Sequence, residues 1–146
     1  MKGRDALLVV TVVLVFSLIV VGAYVTTAGF GGECGINTPE GWPLCNGNLL
    51  PPPTLGAVVE YSHRILASLS SLFLLLSAVV FWRAKDAPRR ARRLLFLALL
   101  TIILEVGVGG ALVNTSLSAE VATLHQALAL LVFGLTVSAL AVDRST

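Results

Sequence analysis

The chain has 146 residues, of which 56% are hydrophobic and only 12% charged, about half the roughly 25% charged share of an ordinary soluble domain. Ten Lys and Arg against eight Asp and Glu leave a net charge of +2, too small a basic excess for a nucleic-acid surface. Between Asp5 and Glu33 lie 27 residues without a charge, more than the ~20 that cross a hydrocarbon core, so a soluble globular protein is excluded.

The first apolar run, from about Ala6 to Ala28, is predicted to be a transmembrane helix. Its β-branched residues suit a helix in lipid, where every backbone polar group must be bonded within the segment. Lys2 and Arg4 before it resemble the start of a signal peptide. The run is longer than the ~7–15 apolar residues such peptides use, and it is read as a retained span.

Residues 29–53 form a 25-residue loop, too long to be a mere turn between helices and therefore a functional candidate. It holds both cysteines, Cys34 and Cys45. Two cysteines cannot build the paired Cys-x-x-Cys sets of a zinc site, and a single disulfide is the most they can make. That bond would close a loop of 12 residues, worth about 3 kcal/mol in the chain-entropy model. A staple holding a lid over the outer end of a bundle and a redox-active pair are both open roles.

A second span runs from about Thr54 to Trp82, with Glu60, His63 and Arg64 near its start and 18 uncharged residues after them. Glu60 and His63 are spaced i, i+3 and share a helix face, while Arg64, at i+4 from Glu60, can pair with it. Ionisable groups inside spans usually face a polar cavity, a pathway or a cofactor. A third span, about Leu94 to Asn114, carries Glu105 near its middle, where a carboxyl is either protonated or turned to a polar interior. Gly107, Gly109 and Gly110 beside it are read as packing glycines. The fourth span, about Ser118 to Val142, has one polar landmark, His125.

The predicted fold is an all-α, integral membrane four-helix bundle forming a single transmembrane domain. Two Lys and Arg precede the first span, six lie between Arg83 and Arg93 and one follows the fourth span, so nine of ten fall on one side. The positive-inside rule puts both termini in the cytoplasm, with Trp82 as an inner-face anchor. The Cys34/Cys45 loop is then extracytoplasmic, where disulfides persist.

His63 lies about nine residues into its span and His125 about seven into its own, both counted from the outer face. At 1.5 Å per residue the two imidazoles sit ~10–14 Å deep at one membrane level. They are the chain's two histidines. Two histidines matched in depth on different helices are the simplest arrangement that holds a haem iron by two axial nitrogens. Histidines bonded to neighbouring helices, or a His-His-Glu metal trio, are the alternatives.

The stretches GAYVTTAGFGGECG, GWPLCNG, VVEYSHRILA, a glycine-rich third span and TLHQALALL occur in this order over nearly the whole chain. Together they resemble the haem A synthase family of respiratory membranes. The resemblance implies a membrane oxidoreductase that oxidises a methyl group of haem O to the formyl group of haem A for terminal oxidases, by successive two-electron steps. On the matched positions, His63 and His125 would bind the substrate haem iron, Glu60 would be the carboxylate needed for oxidation, and Cys34 and Cys45 the outer-loop cysteine pair. Arg64 would meet a haem propionate or Glu60. A haem O synthase and an electron acceptor are the implied partners, besides membrane lipid.

Two departures from the family pattern stand out. Most of its members have eight spans in two similar halves, one for substrate haem and one for a haem b, whereas this chain matches one half and would work as a homo-oligomer. Thr26 stands where the pattern has an arginine after Val25. The leading alternative is a bis-histidine haem b electron-transfer or haem-carrying protein, for which Glu60 has no use. A quinone-linked thiol oxidoreductase would need a closer cysteine pair, and a non-enzymatic bundle subunit leaves His63, Glu60 and His125 unexplained.

Overall fold

A computed structural model describes residues 3–145; Lys2, counted above among the basic residues of the N-terminal tail, lies outside them. Four long helices account for most of the chain: α1 (Gly3–Thr27), α2 (Leu55–Arg83), α3 (Arg89–Asn114) and α4 (Ala119–Arg144). All four are long and apolar enough to span a membrane, and the described residues form an all-α membrane bundle without strands. Phe16, Ile103, Leu104 and Leu124 point outward with more than half of their surface exposed, as side chains in lipid contact do.

Local chemistry sets the helix ends. Thr54 caps α2 by accepting from the Ala57 N–H, and Ser118 caps α4 by accepting from the Val121 N–H. Pro88 precedes α3, so that helix starts at Arg89 rather than at the apolar run from Leu94. The arginine-rich turn is helical, and Arg92 reaches back to the Ala84 carbonyl just past the end of α2. With connections this short, successive helices run antiparallel. α1 packs mainly on α2 and α3 mainly on α4, and the contacts of α1 with α4 and of α2 with α3 close the ring.

The interior divides into two halves along the bundle axis. The half holding both termini is filled by Leu8, Val15, Leu74, Phe81, Leu95, Ile102 and Val132. Thr11 of α1 and Ser77 of α2 share a buried hydrogen bond of 2.9 Å there. At the outermost turn, Arg4 is paired with Asp143 at 3.0 Å and Asp86 at 2.7 Å, and its guanidinium lies over the Phe81 ring. This cluster ties the start of α1 to the α2–α3 turn and the end of α4. The opposite half is hollow, and residues 28–54 fold over it.

Candidate functional site

The hollow half is a cavity of about 520 Å³ to which all four helices and the 28–54 loop contribute, within the usual size range of small-molecule sites, roughly 300–1,000 Å³. Its wall is mostly apolar, with His63, His125, Glu60, Arg64 and Glu105 as the ionisable side chains among the described lining residues. The structure therefore brings together five of the residues singled out in the sequence.

The two imidazole rings face each other across this space with centroids 6.5 Å apart and planes at 84°. Each leans on a glycine of the preceding helix. A Cβ at Gly22 of α1 would lie 2.7 Å from His63 Cε1, and one at Gly109 of α3 would lie 2.9 Å from His125 Cε1, closer than real Cβ contacts allow. One turn before each glycine, a backbone carbonyl faces the same ring. Glu105 O is 3.1 Å from His125 Nδ1, whereas Leu18 O faces His63 without reaching hydrogen-bond geometry, and His63 Nδ1 is buried without a partner among the described residues. The hairpins α1–α2 and α3–α4 thus repeat one local design.

The ring separation can be tested against a metal held between the rings. A first-row transition metal sits about 2.0–2.1 Å from an imidazole nitrogen, itself roughly 1.2 Å from its ring centre, so axial rings on either side of one ion have centres roughly 6–6.5 Å apart. The observed 6.5 Å fits. A haem iron needs these two nitrogens alone. A His-His-Glu trio is not formed: among the described residues no group of three or more His, Cys, Asp or Glu could hold an ion.

Glu60 is 3% exposed and held from two sides. Its Oε2 accepts from the Cys34 N–H at 3.0 Å and its Oε1 from the Arg64 guanidinium. Arg64 also donates to the loop carbonyls of Gly41 and Leu44, so its charge joins the carboxylate to the loop. Cys34 and Cys45 form a disulfide that is buried against Ala57 and half-buried Tyr61, behind the site rather than in its wall. Trp42, in the loop segment between them, covers the outer end of the cavity with its ring against Gly110. Thr26 also lines the cavity, its hydroxyl bonded back to the Gly22 carbonyl.

What went unread in the sequence is how Gly22, Gly109 and Glu105 relate to the two histidines. Gly22 lies in an apolar run with nothing to mark it, and Gly109 is a socket for His125 while Gly107 faces open space. Glu105 was read as a carboxyl protonated or turned to a polar interior, but its partner was not: the spacing of 20 residues from His125 crosses a turn, so no helical periodicity links them.

Residues 54–144 match the COX15-CtaA family, described as cytochrome oxidase assembly protein. The chain belongs to that family. Among its relatives, the haem A synthase of Bacillus licheniformis is 31% identical over 132 residues, covering 90% of this chain and 42% of the relative. The haem A synthase of Symbiobacterium thermophilum is 33% identical over 135 residues, covering 91% and 42%. That of Alkalihalophilus pseudofirmus is 33% identical over 118 residues, covering 80% and 38%. The chain spans about two fifths of the length of these family members. No solved structure matches it.

Proposed function

We propose that the chain is a haem A synthase, a membrane oxidoreductase that converts a methyl group of haem O to the formyl group of haem A. The observation that carries this reading is the pair of imidazoles 6.5 Å apart across an apolar cavity, together with membership of a family whose relatives carry that name. His63 and His125 bind the substrate's iron through one ring nitrogen each. The carbonyl of Glu105 can only accept a hydrogen bond, so His125 Nδ1 carries the proton in that contact and Nε2 keeps the lone pair for iron.

Glu60 is the residue for the oxidation itself. Each two-electron step on the methyl carbon releases protons and builds positive charge at that carbon, to which water adds the formyl oxygen, and a carboxylate in the cavity wall can accept the protons and stabilise the charge. Arg64 and the Cys34 N–H hold Glu60 in place, and Arg64, itself a wall residue, is the cation available to a haem propionate. The disulfide fixes the loop that supplies these contacts. Electrons leave to an acceptor, and haem O arrives from a haem O synthase. Both termini are cytoplasmic and the Cys loop extracytoplasmic, as the distribution of basic residues supports.

The test is to express the chain with haem O supplied, purify it, extract the haem and identify it by chromatography and mass. Formyl or hydroxymethyl haem from wild type, with none from His63→Ala or His125→Ala, is the expected result. Unmodified haem b alone would replace this reading with an electron carrier, and absence of haem would remove the ligand assignment.

A further inference from the structure

Glu105 is a buried carboxyl for which the reading above has no task beyond its main chain. It is 3% exposed, sits mid-way along α3 and lines the cavity. An ionisable group at that depth is costly unless it meets a partner. Its side chain meets His125: Oε1 lies 3.3 Å from Nδ1, the same nitrogen that the Glu105 carbonyl contacts at 3.1 Å. The carbonyl thus takes the N–H as a hydrogen bond while the carboxyl stands within ion-pair distance of the same nitrogen, and Gly109, a turn further on, leaves the imidazole room to lie there.

The other side of the cavity has the same backbone design without this side chain. The residue one turn before Gly22 is Leu18, whose carbonyl faces His63. The leucine side chain adds no acceptor to that carbonyl, and His63 Nδ1 is buried without a full hydrogen bond among the described residues. The two imidazoles are therefore alike in their sockets and unlike in what holds their far nitrogens. A carboxylate accepting from the far N–H of a ligating imidazole fixes its tautomer and orientation and makes the near nitrogen a stronger donor to the metal.

We propose that Glu105 is a positioning residue for His125, its carbonyl holding the Nδ1–H and its carboxylate set beside that nitrogen, so that His125 is the stronger and His63 the weaker axial ligand of the bound haem. The inference rests on the haem reading and deepens it. Glu105 acts through His125 and does not itself touch the reacting methyl group. Stronger donation from one axial ligand favours the ferric over the ferrous iron, so the carboxylate lowers the reduction potential of the bound haem. The weaker bond to His63 is the one that opens first to let an exogenous ligand reach the iron.

The test uses the haem-loaded, full-length protein and reads spectra and potentials rather than turnover. Glu105→Gln keeps an acceptor oxygen of similar reach and removes the charge; Glu105→Asp keeps the charge and withdraws it by one methylene. The expected result is a midpoint potential shifted upward in Glu105→Gln and less so in Glu105→Asp, with the low-spin bis-histidine spectrum retained. Imidazole or carbon monoxide should bind faster to wild type than to a Glu105→Gln variant whose two axial bonds have become more equal. Wild-type potential and ligand-binding rates in both variants, with haem bound, would overturn the proposal and leave the haem reading standing. A wild-type protein that takes up no haem would overturn both.

Discussion

Gly22 and Gly109 perform one job on opposite sides of the cavity. Each removes a methyl group where an imidazole edge must lie, and a Cβ there would come within 3 Å of a ring carbon. The rings are wedged between helices, so neither can withdraw cheaply. Gly22→Ala and Gly109→Ala should each weaken haem affinity about tenfold, the ~1.4 kcal/mol expected of a displaced ligand. Gly107→Ala, with nothing within 4 Å of the added carbon, should leave affinity unchanged. Optical titration of the purified variants with haem separates the three. The histidines were legible in the sequence because a polar side chain in an apolar run is conspicuous and helix depth is a matter of counting. Their sockets were not, because Gly22 gains its meaning from a residue on another helix.

Among the elements, the 28–54 loop is tied to the site more closely than its length suggests. A disulfide alone would make it a staple, but the Cys34 N–H grips Glu60 and the carbonyls of Gly41 and Leu44 grip Arg64. Asn37 further bonds Ser116 in the α3–α4 turn at 2.7 Å. The ion pair of Glu60 with Arg64 could be read from i, i+4 spacing; the second set of partners for Arg64 could not, because loop carbonyls carry no sequence signature. Arg64→Lys should reproduce one point charge without the planar fork that spans carboxylate and carbonyls. The expected outcome is retained haem with product formation reduced at least tenfold, seen by comparing haem content with formyl haem yield. Cys45→Ser should act in the same direction through the loop, and labelling of a freed Cys34 thiol would report the loosened segment. If the loop faces outward, an impermeant reagent reaches that thiol in intact cells.

For the whole molecule, the two ends of the bundle have opposite characters. Large apolar side chains and the Arg4, Asp86 and Asp143 cluster close one end, while glycines and histidines keep the other hollow. Composition and hydropathy were enough to give four helices in a membrane. The closing cluster escaped notice because Arg4 and Asp143 are 139 residues apart and looked like ordinary tail charges. Arg4→Ala removes the guanidinium that bridges Asp143 and Asp86 and should destabilise the bundle by about 1.5–3 kcal/mol, the worth of a hydrogen bond to a charged group. Thermal unfolding in detergent measures this, and haem content of the folded fraction should stay unchanged, since the cluster lies at the far end from the cavity.

His63 belongs to the α1–α2 hairpin and His125 to the α3–α4 hairpin, so a ligand held by both is also a cross-brace between the two. Binding then adds directly to the folding free energy, by about 2.7 kcal/mol when free ligand is at a hundred times its dissociation constant. Melting temperature becomes a colour-blind gauge of loading. An emptied molecule, lacking its brace, is the form a cell's quality-control proteases would find first.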